Sequence, residues 1–175
     1  MNVAFRAGLE PDRKAVWWKG RWTTYGEFDR DVERYAANMR ALGVRPGDRV
    51  ATLAHNHPVH LHGIYAAGRH GFVHAPLNYR LPPAENAALI EHLGARVLVY
   101  GPGFEPCAEA AAERVPGLSL VPLASLQEPG DLPVERAPGR PDPDAARMLL
   151  FTGGTTGIPK AAVISNRMFD ANAWD

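Results

Sequence analysis

Residues 49–77 read RVATLAHNHPVHLHGIYAAGRHGFVHAPL, and they set the architecture. Val50 to Ala54 is a short apolar run of strand character. Pro58 then stands at a helix start, a helical stretch continues to about His70, and Phe72 to Leu77 forms a second apolar run. The same alternation continues downstream. Pro82-Pro83 opens a helix to Leu93, Val97 to Tyr100 is a third strand, Pro106 to Val115 an alanine-rich helix and Leu118 to Val121 a fourth strand. Short apolar strands joined by helices are parallel, because only a crossover returns the chain to the same end of the sheet. The expected fold class is α/β: a mostly parallel sheet with flanking helices.

Upstream, Ala15 to Trp18 and Arg21 to Thr23 flank Lys19-Gly20, a two-residue connection that predicts a hairpin. Thr24 precedes Glu27 by three, the spacing of a capping box, in which hydroxyl and carboxylate each satisfy an orphan amide. Tyr25, Phe28, Val32, Tyr35, Ala36, Met39 and Leu42 follow at spacings of three and four, with Gly43 beyond the end, so an amphipathic helix is expected. Downstream, Gln127 to Asp144 is proline-rich and charged, an extended surface connection. Met148 to Phe151 and Ala161 to Ile164 then bracket a Gly/Thr loop, and Ser165-Asn166 caps a last helix. This divides the chain into an α/β subdomain (1–126), a connection (127–147) and a loop hairpin with the start of a helix (148–175).

The 175 residues are 46% hydrophobic and 22% charged, enough for one real core. Lys+Arg and Asp+Glu are both 19, so no global field draws in nucleic acid or an anionic membrane surface. A single cysteine, Cys107, excludes an intrachain disulfide and a cysteine-based zinc cage. Apolar runs fall far short of the ~20 residues of a transmembrane helix, and the N-terminal stretch has no basic-then-apolar leader. A cytoplasmic location is expected.

Thr152-Gly153-Gly154-Thr155-Thr156-Gly157-Ile158-Pro159-Lys160 carries the chemistry. Three glycines let backbone amides approach a ligand, three threonines add hydroxyls and Lys160 adds a point charge; such a concavity suits polyphosphate. It is not a Walker A loop, which needs Gly-Lys-Ser/Thr opening a helix. Here Pro159 precedes the lysine and a strand follows. A ligand-free Gly/Thr hairpin is the competing reading.

Phe151–Lys160, FTGGTTGIPK, resembles the phosphate-loop signature of the adenylate-forming enzymes: acyl-CoA synthetases, luciferases and nonribosomal-peptide adenylation domains. Trp22–Glu27, Leu42–Val50, Ala75–Leu81 and Pro141–Asp144 resemble that family's N-terminal landmarks, in order. Gly153 stands where many members have serine, Ala161 where many have glycine and Asn166 where histidine is frequent. The resemblance implies ATP-dependent activation of a carboxylic acid as an acyl-adenylate, with pyrophosphate released and the acyl group passed to CoA. ATP, Mg2+ and CoA would serve the complete enzyme, and none is needed for this segment to fold. Thr152, Gly153, Gly154, Thr155, Thr156, Gly157 and Lys160 would bind the phosphates. Lys160 would be the catalytic residue, meeting charge on the leaving pyrophosphate. Ala51–His57 and Val73–Pro76 look closer to fatty-acyl-CoA synthetases than to peptide adenylation domains, so a fatty acid is the expected substrate. Relatives are much longer, so this chain is expected to be an N-terminal fragment, inactive alone, with an open apolar edge for self-association. The alternative is a non-catalytic module that binds phosphate or a partner chain weakly.

Other constellations carry less. His55, His57, His60 and His62 are dense, but His60 and His62 lie two apart on a helix and point to different sides, so no metal is expected. There is no Gly-x-Ser-x-Gly elbow for a hydrolase. Cys107, in an alanine-rich helix, reads as a buried inert thiol. Trp17, Trp18 and Trp22 read as a packing cluster rather than a base-stacking platform. Asn78 and Arg80 follow a strand's carboxyl end, where open α/β sheets place ligands. A hydrogen-bonded turn, with Arg80 paired to Glu85, is the favoured role.

Overall fold

The computed structural model describes residues 3–126, 142–152 and 160–172. Helix α1 (Val3–Leu9) leads into the hairpin β1 (Lys14–Trp18) and β2 (Arg21–Thr24), then α2 (Tyr25–Ala41). There follow β3 (Arg49–Leu53), α3 (Val59–His70), β4 (Val73–Pro76), α4 (Pro83–Leu93), β5 (Ala95–Tyr100), α5 (Glu105–Arg114) and β6 (Ser119–Pro122). A short 3-10 turn (Leu123–Leu126) ends this part; β7 (Ala146–Phe151), β8 (Ala161–Ser165) and α6 (Asn166–Asn172) complete it.

The main sheet runs β6-β5-β3-β4-β7-β8. β3 pairs parallel with β4 and β5, β5 with β6 and β4 with β7; β8 alone runs antiparallel, beside β7. The expected α/β class and mostly parallel sheet are what the structure has. Alternating side chains feed two cores. On one face Val50, Val97, Val99 and Val121 meet Phe28, Val32, Tyr35, Ala36 and Met39 of α2 and Ala66 and Ala67 of α3; Val3 of α1 joins them. On the other, Ala51, Leu53, Ala75 and Leu98 meet Ala87, Ile90 and Leu93 of α4 and Cys107, Ala108 and Ala111 of α5. Cys107 is buried there, and burial pushes its thiol pKa up, as an inert role requires.

The local signals act as their chemistry dictates. Lys19 (φ 44°) and Gly20 (φ 84°) both take positive φ, the two-residue turn that matches strand twist. The Glu27 amide donates to Thr24 Oγ1 (3.3 Å) and the Thr24 amide to Glu27 Oε2 (2.8 Å), closing the capping box. Thr24→Ala is expected to cost about 1 kcal/mol, read as a lower urea midpoint with unchanged slope. Helix α3 starts at a proline without a side-chain cap; the Val59 amide instead donates to His57 Nδ1 (3.1 Å).

Helices α2 and α3 are tied by charge. Arg69 donates to Asp29 Oδ1 (2.6 Å) and Glu33 Oε1 (2.7 Å). His70 lies between Glu33 Oε2 (2.9 Å) and Arg40 (3.0 Å). Because guanidinium only donates, His70 Nδ1 accepts from Arg40 and Nε2–H points at Glu33.

The tryptophans pack as the hairpin's sequence suggests. Of the three tryptophans, Trp17 and Trp22 pack tilted against each other across the hairpin (5.3 Å) and stay 54% and 43% exposed, while Trp18 turns to His57 (5.6 Å). They form the expected packing cluster, placed as a clasp on the hairpin. Helix α1 and the 3-10 turn had no signal in the sequence strong enough to predict them.

Candidate functional site

Strands β3 to β7 all point the same way, so their carboxyl ends line one rim of the sheet, the edge where α/β folds place ligands. Thr152 follows β7 at this rim, and Lys160 precedes β8 beside it. The Thr152 amide donates to the Lys160 carbonyl (2.8 Å), and so does the Thr152 hydroxyl (3.1 Å). These bonds close the hairpin at the base of the loop and leave both side chains exposed. Gly153, Gly154, Thr155, Thr156 and Gly157 lie outside the described residues. Of the residues expected to hold phosphate, the structure therefore places the two that frame the loop, as neighbours across β7 and β8.

Next along the rim is the turn after β4. The Leu77 amide donates to Thr52 O (2.9 Å), the Arg80 amide to Asn78 Oδ1 (3.0 Å) and the Leu81 amide to Asn78 O (3.2 Å). From below, Asn86 Nδ2 donates to Asn78 O (3.1 Å) and Leu81 O (3.3 Å), with its side chain 1% exposed. The expected turn is there, but Asn86 rather than Glu85 locks it, and no Arg80–Glu85 ion pair forms among the described residues. One residue along a helix is a rotation of about 100°, which takes position 86 inward and leaves 85 outside. Arg80 instead lies over Tyr79 (5.2 Å). Tyr79 meets His55 (4.7 Å), and His55 meets Phe104 (5.1 Å). This aromatic row at the ends of β3, β4 and β5 escaped the sequence reading because its members come from three separate loops.

The histidines part company. His60, on α3, sits 6.3 Å from His74 of β4, a residue the sequence reading did not single out. His74 is fully buried, and among the described residues neither ring nitrogen has a hydrogen-bond partner. Burial drives its pKa down to about 3, with His60 adding to the effect. His62 falls to about 4, mainly through burial and then through His57 and Arg34. Among the described residues no three His, Cys, Asp or Glu side chains converge as a metal site. No helix among them is long and apolar enough to cross a membrane.

The model of the family described as "AMP-binding enzyme" matches residues 4–175. Feruloyl-CoA synthase of an Amycolatopsis species is 41% identical over 92% of this chain and 32% of its own length. A long-chain-fatty-acid–CoA ligase of Thermus thermophilus is 37% identical over 83% of this chain and 28% of its own. In structure, o-succinylbenzoate coenzyme A synthetase of Bacillus subtilis, solved with AMP, superposes with a TM-score of 0.82 at 25% identity. That match covers 98% of this chain and 44% of the synthetase. The chain thus spans about a third of the length of the curated relatives it matches. With the parallel sheet, the framed loop and the ordered landmarks all falling inside one matched span, the chain belongs to the AMP-binding enzyme family.

Proposed function

We propose that the chain is the N-terminal part of an ATP-dependent acid–CoA ligase and that its 152–160 loop handles the phosphates of ATP. The carrying observation is the closed base of that loop at the carboxyl rim, with Lys160 exposed beside Thr152. The Thr152 hydroxyl and amide hold the loop shut. In this reading Gly153, Gly154 and Gly157 supply amides and Thr155 and Thr156 hydroxyls for phosphate binding, and Lys160 meets negative charge as pyrophosphate leaves. This is preorganised electrostatic stabilisation, with no proton transfer asked of the lysine. ATP arrives as its Mg2+ complex, and CoA takes the acyl group in the complete enzyme. Residues 1–126 serve as scaffold, 127–147 as connection and 148–175 as the phosphate-handling part. A cytoplasmic setting belongs to the same proposal. A fatty acid is the acyl substrate we propose; the 41% identity to a feruloyl-CoA synthase favours an arylacrylic acid as the second reading.

Two measurements test this. Inorganic pyrophosphate should bind the 175-residue chain in calorimetry, and Lys160→Ala should abolish the signal. In a complete enzyme carrying this segment, Lys160→Ala should lower the adenylation rate about 100-fold while the KM for the acid changes little. Acid-dependent ATP–pyrophosphate exchange by the 175 residues alone would overturn the fragment reading. A panel of fatty and hydroxycinnamic acids assayed with the complete enzyme decides the acyl class.

A further inference from the structure

Arg147 is the residue least like its neighbours in β7. It interrupts an apolar strand, yet only 6% of it is exposed. The β7–β8 register shifts between Ala146 and Met148, so Arg147 is the extra residue of a β-bulge, a device that re-aims a side chain. The bulge aims it at α3 and α6. Nε donates to Ile64 O (3.0 Å) and Nη1 to Asp170 Oδ1 (3.3 Å), and the guanidinium lies 3.8 Å from the Phe169 ring centre and 5.3 Å from that of Tyr65. Gly68 makes the room: a Cβ there would stand 2.6 Å from Arg147 Cζ. Bulge, clearance, stacking rings and a carbonyl acceptor together form a built seat for one guanidinium.

Its place in the chain gives this seat a purpose. Main-chain pairing holds β7 to β4 through a single position, His74 with Met148, whereas β3 and β5 pair along five. Arg147 lies at the base of β7, five residues before Thr152, while Phe169 and Asp170 lie on the helix that follows β8. One side chain of β7 therefore joins the hairpin strand and the helix after β8 to α3. We infer that Arg147 is a positioning residue: seated against Gly68 and Phe169, it sets the angle at which Thr152 and Lys160 are presented at the sheet's rim. This rests on the phosphate-loop reading above. A fixed angle matters because displacement of about 1 Å at a site preorganised for charge is costly in rate and affinity.

The test uses the 175-residue chain and two readouts, amide hydrogen exchange and calorimetric affinity for inorganic pyrophosphate. Arg147→Met keeps an unbranched side chain over Gly68 but removes the guanidinium. It should speed exchange at Ala161–Ile164 about tenfold relative to Val50–Leu53 and weaken pyrophosphate binding about tenfold. Arg147→Lys, which keeps a donor but not the plane, should lose about threefold in affinity and serves if the Met variant does not fold. Gly68→Ala should act like Arg147→Met by unseating the guanidinium. Adding Arg147→Ala to Gly68→Ala relieves the clash, so melting temperature should recover while affinity stays low. If affinity recovers with melting temperature, Arg147 is only structural and the inference is overturned. Unchanged exchange at Ala161–Ile164 in Arg147→Met overturns it as well. Should the wild-type chain bind no pyrophosphate, the phosphate-loop reading fails by itself, and exchange still decides whether Arg147 sets the hairpin.

Discussion

Gly63→Ala is expected to destabilise the protein by about 2 kcal/mol, although the substitution places a better helix former within α3. Alanine gains up to about 1 kcal/mol over glycine in a helix interior. Against that, its Cβ would lie 2.4 Å from His74 Nδ1 and 2.5 Å from Cε1. The imidazole cannot step aside, since it is fully buried between α3 and the sheet. Overpacking of this kind costs about 1–3 kcal/mol, and more where the obstacle is a rigid ring. Thermal unfolding should show a fall of about 6 °C for a chain of this size. His74→Val removes the ring together with its two unpartnered nitrogens, so the double variant Gly63→Ala/His74→Val should recover most of the loss. A neutral Gly63→Ala, or a double variant no better than the single, would refute the close packing described here.

Mild acid should destabilise the protein well before its carboxylates are protonated. His74 has a folded pKa of about 3 against 6.5 for the free side chain. A histidine depressed in the folded state leaves stability intact above pH 6.5. Below that value the unfolded chain takes up a proton that the folded one refuses, and stability falls until the folded pKa is reached. Between pH 7 and pH 5 His74 alone accounts for a loss of about 2 kcal/mol. His62, at about 4, adds a loss in the same window, and the lowered pKa values of His57 and His60, each chiefly from burial, act in the same sense. Glu33 contributes only at lower pH. Burial pushes its pKa up, but bonds from His70 and Arg69 outweigh burial and hold it below 4.5, so its contribution is lost only as pH drops through that lower range. Urea midpoints measured from pH 7.5 to 5 should fall steadily, and His74→Val should flatten the slope. A midpoint independent of pH across this range would show that these rings are hydrated.

Most of the scaffold was readable because its signals are local. Thr24 and Glu27 find each other three residues apart, Lys19-Gly20 sets its own turn, and the apolar runs of β3, β4, β5 and β6 each stand between helix signals. What stayed hidden depends on residues distant in sequence. His74 reads as one polar residue in a strand until α3 is folded over it. Arg147 reads as an ordinary exposed position, since a bulge has no pattern of its own and Gly68 lies far upstream. Helix α1 is short, has no acidic residue in its first turn and leaves Phe5 and Leu9 63% and 62% exposed, so its periodicity is faint. At the candidate site, composition marked the 152–160 loop. The bonds from Thr152 to the Lys160 carbonyl came from folding the two strands together.

The strand order has a kinetic consequence. β3 and β4 are joined by one helix, and β5 and β6 each follow after another, so this block closes through short crossovers. The contact of Met148 with His74 instead spans about seventy residues, and the entropy of closing that loop sets the hairpin apart from the earlier steps. On a ribosome, β3 to β6 emerge before β7 exists. The side of β4 that β7 will cover must wait, unpaired, for synthesis to continue. The β7–β8 hairpin is therefore the last of these parts to dock, and it docks on a sheet already formed.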